Sequence, residues 1–323
     1  EADYPAAEAS AREGYRLAES IGTLREMSSA LDALAGLYLT TADFSKMLET
    51  TTQRVPIVER LDDPRERNDL HHMLGFAYDL LGDFAQAVKH AEHAYEVASQ
   101  SGMFAQMVLN CGDAVRAYTW WDRWDDAERW CRLYEQAEDR VGARVGGRVW
   151  IIVSRVMTAA ARGNVDGARR LADEFQTVPV RHPALAWNHA LSELLAALAL
   201  NDVEKARSLV EEGLRLADTP VAALQIRTQA LQFACQAREW DYISRLGEDT
   251  LGRARRSGGR WYVALNCRAL GVHCREHGRL GEADPYLQEA ADLFRALDCR
   301  YELGKTLREL ALLRRAQGRG DDA

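Results

Sequence analysis

Cys267, His273, Cys274 and His277 lie within one short stretch and are residue types that bind zinc. At helical spacing Cys267 and Cys274 share one apolar face while His273 points away from it, so the stretch reads as packing and not as a metal site. The i, i+3 pair His90 and His93, and the adjacent His71 and His72, each lack a third ligand. "GKT" at Gly304-Lys305-Thr306 carries the end of a phosphate-binding loop, but Cys299 stands where the loop needs its first glycine. No strand pattern precedes it, and the segment has the periodicity of a helix. "RGD" at Arg319 to Asp321 falls in a turn and gives no reason to expect adhesion. No Ser/His/Asp or Cys/His arrangement and no pocketed pair of carboxylates can be placed. The residues therefore predict no metal, no cofactor and no enzymatic activity.

The remaining conspicuous chemistry is aromatic. "AYTWWDRWDDAERWCRLYEQ", residues 117–136, holds four of the chain's eight tryptophans. Whether these rings hold a ligand or fill a core depends on the elements that carry them.

Those elements should be helices. Nearly half of the 323 residues are apolar, only seven are proline, and alanine, leucine, arginine and glutamate abound. β-branched alternation is almost absent, which predicts an all-α chain. The net charge of −8 argues against direct nucleic-acid binding. That charge is uneven: residues 1–140 hold about 14 basic and 26 acidic residues, and residues 245–323 about 15 and 12. The six cysteines include no CxxC pair, which suits reduced thiols in the cytoplasm. No apolar run approaches the roughly 20 residues that cross a bilayer, so no membrane partner is expected.

The chain also repeats itself. "HHMLGFAYDLLGDFAQAVKHAEHAY" (71–95) and "CRALGVHCREHGRLGEADPYLQEAA" (267–291) share one grammar. Leu74-Gly75 matches Leu270-Gly271, Gly82-Asp83-Phe84 matches Gly278-Arg279-Leu280, and Ala87 matches Ala283. Extended along the chain, the position of Ala87 recurs at Ala7, Met47, Ala127, Ala168, Ala206, Ile243, Ala283 and Ala323, in steps close to 40. Each step holds two amphipathic segments, the second opened by a bulky residue: Phe84, Trp124, Val165, Val203, Trp240 or Leu280. A glycine inside a helix costs about 1 kcal/mol relative to alanine, a cost offset where it lets a neighbouring helix approach. Gly75 and Gly271 are read in that way.

Leu-Gly-x2-Tyr followed by Gly-Asp-Phe-x2-Ala resembles the tetratricopeptide repeat, a helix–turn–helix unit. The resemblance is strong at 68–101 and 264–297, moderate at 28–61 and 108–140, and weak at 149–177 and 187–257, where the Leu-Gly pair is lost and Glu193 replaces an apolar residue. It implies a right-handed α-solenoid of about 16 helices, forming a single repeat domain over 1–323. The predicted units are a partial repeat at 1–22, repeats at 23–62, 63–102, 103–141, 142–180, 181–218, 219–257 and 258–298, and a partial repeat at 299–323. The step of about 40, in place of 34, is similar to arrays in bacterial STAND-type ATPases, LuxR-type activators, kinases and nucleotide cyclases. Tyr4 and Ala7 already belong to a second helix, and Gly318 onward resembles a turn before another. An excerpt of a longer chain, able to associate end to end, is the resulting expectation.

In this family the first helix of each repeat lines a concave groove. A stripe about 90° from each small residue then selects Asp32, Asp69, His72, Phe76 and Asp79 in the early repeats. It selects Arg116, Trp120, Trp150 and Met157 in the middle, and Gln225, Thr228, Gln229, Gln232 and Gln236 in the sixth. At the end it selects Arg268, Arg275, Lys305, Arg308 and Arg315. Tyr118, Trp124 and Trp130 are assigned to the core, which leaves Trp120 as the ring facing the groove. The function implied is a protein-interaction module that binds a peptide or partner domain. Trp120 and Trp150 would be the anchors, Gln229, Gln232 and Gln236 the hydrogen-bonding face, Arg268 and Arg275 the contacts to acidic groups, with Asp69, His72, Asp79 and Arg116 at the other end. The alternative is a regulatory arm of a larger signalling protein that senses a small effector or holds its own catalytic domain.

Overall fold

The computed structural model describes residues 3–142, 147–178 and 186–318. Among them are 17 α-helices, one short 3-10 turn over 173–177, and no strand. The predicted "RGD" lies outside the described residues.

Helices pair as the sequence grammar requires. α1 (Tyr4–Ile21) precedes α2 (Leu24–Thr40), α3 (Phe44–Gln53) and α4 (Val55–Leu61). The hairpins α5 (Pro64–Leu81) with α6 (Phe84–Gln100) and α7 (Phe104–Trp120) with α8 (Trp124–Val141) follow. Next come α9 (Arg148–Ala161), α10 (Val165–Ala172), α11 (Ala186–Ala199) and α12 (Val203–Leu216). The chain continues through α13 (Pro220–Ala237), α14 (Trp240–Ser257), α15 (Arg260–Glu276), α16 (Leu280–Ala296) and α17 (Arg300–Ala316). Phe84, Trp124, Val165, Val203, Trp240 and Leu280 each open a helix.

The backbone carries the same rhythm. A residue with positive φ closes the first helix of each pair at Ala42, Gly82, Asp122, Gly163, Asn201, Arg238 and Gly278, and another follows α17 at Gly318. Their spacing reproduces the steps near 40 in the small residues, including the stretch where the sequence pattern is weak. The second helix then starts under a side-chain cap: Asp43, Asp83, Asn164 and Asp202 each accept a hydrogen bond from a backbone N–H three residues on.

One helix more than expected arises in the second helix of the 23–62 repeat. Pro56 cannot donate the N–H that would bond back one turn, so the helix breaks at Arg54 into α3 and α4. Elsewhere the small residues do what was expected of them. A Cβ added to Gly75 would lie 3.2 Å from the Ala87 carbonyl oxygen, and one added to Gly271 would lie 2.6 Å from Leu287 Cγ. α5 and α6, like α15 and α16, thus touch along the Gly75 and Gly271 faces. Helices that follow one another in the chain pack on one another, the packing of an all-α solenoid.

The residues gather into two compact units. Unit 1 comprises 1–118, 125–151 and 219–221; unit 2 comprises 119–124, 152–218 and 222–323. In unit 1, Val58, Leu70 and Leu74 form one buried cluster. In unit 2, one cluster joins Leu194, Ala206, Val210 and Phe233, and another joins Val272, Ala283, Leu287, Ala291 and Leu313.

Candidate functional site

The predicted stripe has different fates in the two units. In unit 1 its charged members bond to one another. The break at Arg54 turns that side chain inward, where it is 1 % exposed. Arg54 donates to Asp32 at 2.6 Å, to Asp69 at 2.7 Å and to Ser28 Oγ at 3.2 Å. His72 Nδ1 lies 2.6 Å from Asp113 Oδ2. Burial opposes protonation of that ring, but the Asp113 carboxylate outweighs it and raises the His72 pKa; Asp113 is lowered in turn, against its own burial. Arg116 Nε donates to Asp79 Oδ2 at 2.8 Å, and its guanidinium lies over the rings of Phe76 and Trp150. Burial raises Asp79 even so. Charges placed like this hold neighbouring helices in register, with Asp79 Oδ1 left buried without a hydrogen-bond partner among the described residues.

Unit 2 holds a half-open cavity of about 1000 Å³. Nine residues of the predicted stripe line it: Trp120, Met157, Gln229, Gln232, Gln236, Arg268, Arg275, Lys305 and Arg308. Asp69, His72, Asp79, Arg116 and Trp150 belong to unit 1 and are not among its lining. The walls differ. α9 and α11 supply Met157, Ala160, Ala161, Leu195, Leu198 and Ala199, all apolar. α13, α15 and α17 supply a mixed surface, with most of the amides and charges beside Trp261, Tyr301, Leu265, Ala269, Val272 and Leu312, while Asn201 and Arg238 come from the turns after α11 and α13.

Several polar groups on this second wall are used internally. Gln232 Nε2 donates to the Leu265 carbonyl, and its Oε1 accepts from Arg268. Arg268 also pairs with Glu302 at 2.5 Å, and Lys305 donates to Glu302 at 2.9 Å. Burial works against the charged form of Glu302, yet Arg268 and Lys305 outweigh it and hold the carboxyl at about 2. Arg275 binds Glu309 and Glu276, each at 2.7 Å. Gln236 donates to the Leu198 carbonyl and to Asn201 Oδ1.

Other groups are left over. Gln229 is 5 % exposed, lines the cavity, and makes no hydrogen bond with any described residue. Arg308 reaches a carboxylate only at 3.9 Å, to Glu309, and Arg238 pairs with none among the described residues.

The segment 119–124 closes unit 2. Thr119 Oγ1 donates to Ser154 Oγ of α9 at 2.7 Å. On its other side Asp122 Oδ2 accepts the Tyr301 N–H at 2.7 Å in the first turn of α17, and the Cys299 thiol donates to the Trp120 carbonyl at 3.4 Å. The Trp120 and Trp261 rings are 4.9 Å apart, and those of Trp124 and Tyr301 5.3 Å. Burial raises the Asp122 carboxyl to about 7, although the backbone N–H groups of α17 favour its charged form. The helix end is thus capped by a residue 179 positions away.

The tryptophan tract divides nearly as the pattern predicts. Tyr118 and Trp130 are buried, but Trp124 is only half-buried, because it packs on Tyr301 at the closure. Sequence reasoning missed Trp261, Tyr301, Glu302, Glu309 and Asp122. Trp261 could have been found, since it precedes Arg268 and Arg275 at intervals of seven on α15.

The metal candidates give no centre. Cys267, Cys274 and His273 are buried. His71 leaves His72 and joins the other pair: its Nδ1 is 2.9 Å from that of His90, and its ring centroid is 4.2 Å from that of His93. Burial, then the neighbouring imidazoles, lowers the His71 pKa to about 4. Among the described residues no group of three or more His, Cys, Asp or Glu could hold a metal ion. Gly304-Lys305-Thr306 lies inside α17. No described helix is long and apolar enough to cross a membrane.

Comparison with known proteins adds a likeness of fold. No family model and no curated protein matches the chain. Among solved structures it is similar to the crystal structure of BtubC (BKLC) from P. vanneervenii, with a TM-score of 0.51 and 16 % identity. That match covers 67 % of this chain and 91 % of BtubC. At this identity the likeness concerns helical architecture alone.

Proposed function

We propose that the chain is a recognition module of the helical-repeat kind, not an enzyme, and that it holds its ligand in the cavity of unit 2. The observation that carries this reading is Gln229, a buried amide that faces the cavity with donors and acceptor unused. Of the ligands left open by the sequence, a compact effector suits the site better than an extended peptide. The cavity is at the upper end of the roughly 300–1,000 Å³ usual for small-molecule sites. The contacts of 119–124 with α9 and α17 also close unit 2 on itself. Together with the resemblance to repeat arrays of signalling proteins, this supports a regulatory arm that senses an effector.

A peptide remains the second reading, favoured by Trp120 as a ring beside the exposed Gln236 and Arg308. The two separate in a thermal-shift assay with fractionated extract of the producing cells. The effector reading expects a protease-resistant fraction that passes a dialysis membrane and stabilises the full chain more than its Ala199→Trp variant, whose apolar wall is crowded by the added ring. A stabilising fraction destroyed by protease would favour the peptide. Stabilisation undiminished in Ala199→Trp would place recognition elsewhere.

A further inference from the structure

The two walls of the cavity specify more than size. Met157, Leu195 and Leu198 offer apolar surface beside the polar groups of α13, α15 and α17, and Trp120 and Trp261 add ring faces. Five cations line the site, Arg238, Arg268, Arg275, Lys305 and Arg308, against three carboxylates, Glu276, Glu302 and Glu309. The difference is 5 − 3 = +2. It falls on particular residues, because the three carboxylates are engaged at 2.5–2.9 Å by Arg268, Lys305 and Arg275. Arg238 and Arg308 are therefore the cations whose charge is not taken up by a close partner. Gln229 adds an unused amide in the buried part of the site.

We infer that the cavity accepts a compact amphipathic anion: an apolar aliphatic or aromatic body bearing a carboxylate or comparable anionic group. The body lies against the α9 and α11 wall, where it removes apolar surface from water. The anionic group meets Arg308 and Arg238, whose planar guanidinium groups match carboxylate geometry. Gln229 hydrogen-bonds a polar atom of the ligand that would otherwise be buried unpaired. A cationic ligand would face an excess of positive charge and gain nothing from either arginine. This inference rests on the cavity being the recognition site.

The test uses the full chain and three ten-carbon probes below their micellar range: decanoate, decanol and decyltrimethylammonium. Binding is read from the fluorescence of the tryptophans around the cavity and by titration calorimetry. The expected result is saturable, one-to-one binding of decanoate, at least tenfold tighter than decyltrimethylammonium. Arg238→Glu with Arg308→Glu should weaken decanoate at least tenfold and erase or reverse that preference. Arg132→Glu, a charge reversal on α8 in unit 1, should change nothing. Equal binding of anionic and cationic chains, or decanoate binding indifferent to the double reversal, overturns the inference. Ala199→Trp separates the two levels: if it weakens all three probes and the preference is absent, the cavity reading stands and the anion inference fails. If decanoate binding survives Ala199→Trp unchanged, both fail.

Discussion

Units 1 and 2 use the same face of their first helices for different ends. In unit 1, Asp69, His72, Asp79 and Arg116 find partners of opposite charge on adjacent helices, at 2.6–2.8 Å. In unit 2 the corresponding face combines an apolar wall on α9 and α11 with a mixed one on α13, α15 and α17, and its charges only partly cancel. The difference teaches that a polar stripe in a repeat array is ambiguous. It becomes glue when acids and bases alternate between neighbouring helices, and a site when amides and surplus cations face alanine, leucine and methionine.

The largest test of this contrast is Arg54→Leu. Breaking a buried ion pair costs about 3–5 kcal/mol, and the partial exposure of Asp32 and Asp69 sets the expectation near about 3 kcal/mol in urea denaturation. Arg308→Leu, on the solvated side of unit 2, should stay within about 0.5 kcal/mol. Equal costs would erase the distinction. Next come the close approaches shared by both units: Gly75→Leu and Gly271→Leu should each cost about 1–3 kcal/mol through overpacking.

pH sharpens the comparison further. The His72 pKa is raised in the folded chain, so its contribution is complete below 6.5 and fades as pH rises through the higher folded value. Asp122 is raised from 3.8 to about 7, so the folded state favours its protonated form, and stability falls as pH climbs between those values. Hydrogen exchange at the start of α17 should therefore show an Asp122-dependent loss of protection across that acidic window, and α5 and α7 a His72-dependent loss above 6.5. Asp122→Asn should flatten the first response and His72→Gln the second. Responses that survive these substitutions would remove both assignments.

Much of the architecture was legible because its cause is local. Gly75, Ala87, Phe84 and their counterparts mark close approach and helix starts, and the positive-φ turns recur in the same register. Nine cavity residues were legible too, since a stripe at fixed angle to a small residue is geometry that one helix carries alone. The pairing of Arg116 with Asp79 and of Arg268 with Glu302 was not, because it joins residues 37 and 34 positions apart whose rotamers no spacing rule gives. Least legible was Asp122 at the start of α17. Nothing local to Asp122 or Tyr301 signals that contact, which arises only when unit 2 closes.

The most direct test compares Arg116→Leu with Gln229→Leu by urea denaturation of the full chain. If the stripe is structural in unit 1 and a ligand surface in unit 2, the first should lose about 3 kcal/mol or more. The second should stay within about 0.5 kcal/mol, since Gln229 makes no hydrogen bond with any described residue and its amide opens on the cavity. A loss at Gln229 as large as that at Arg116 would contradict the account.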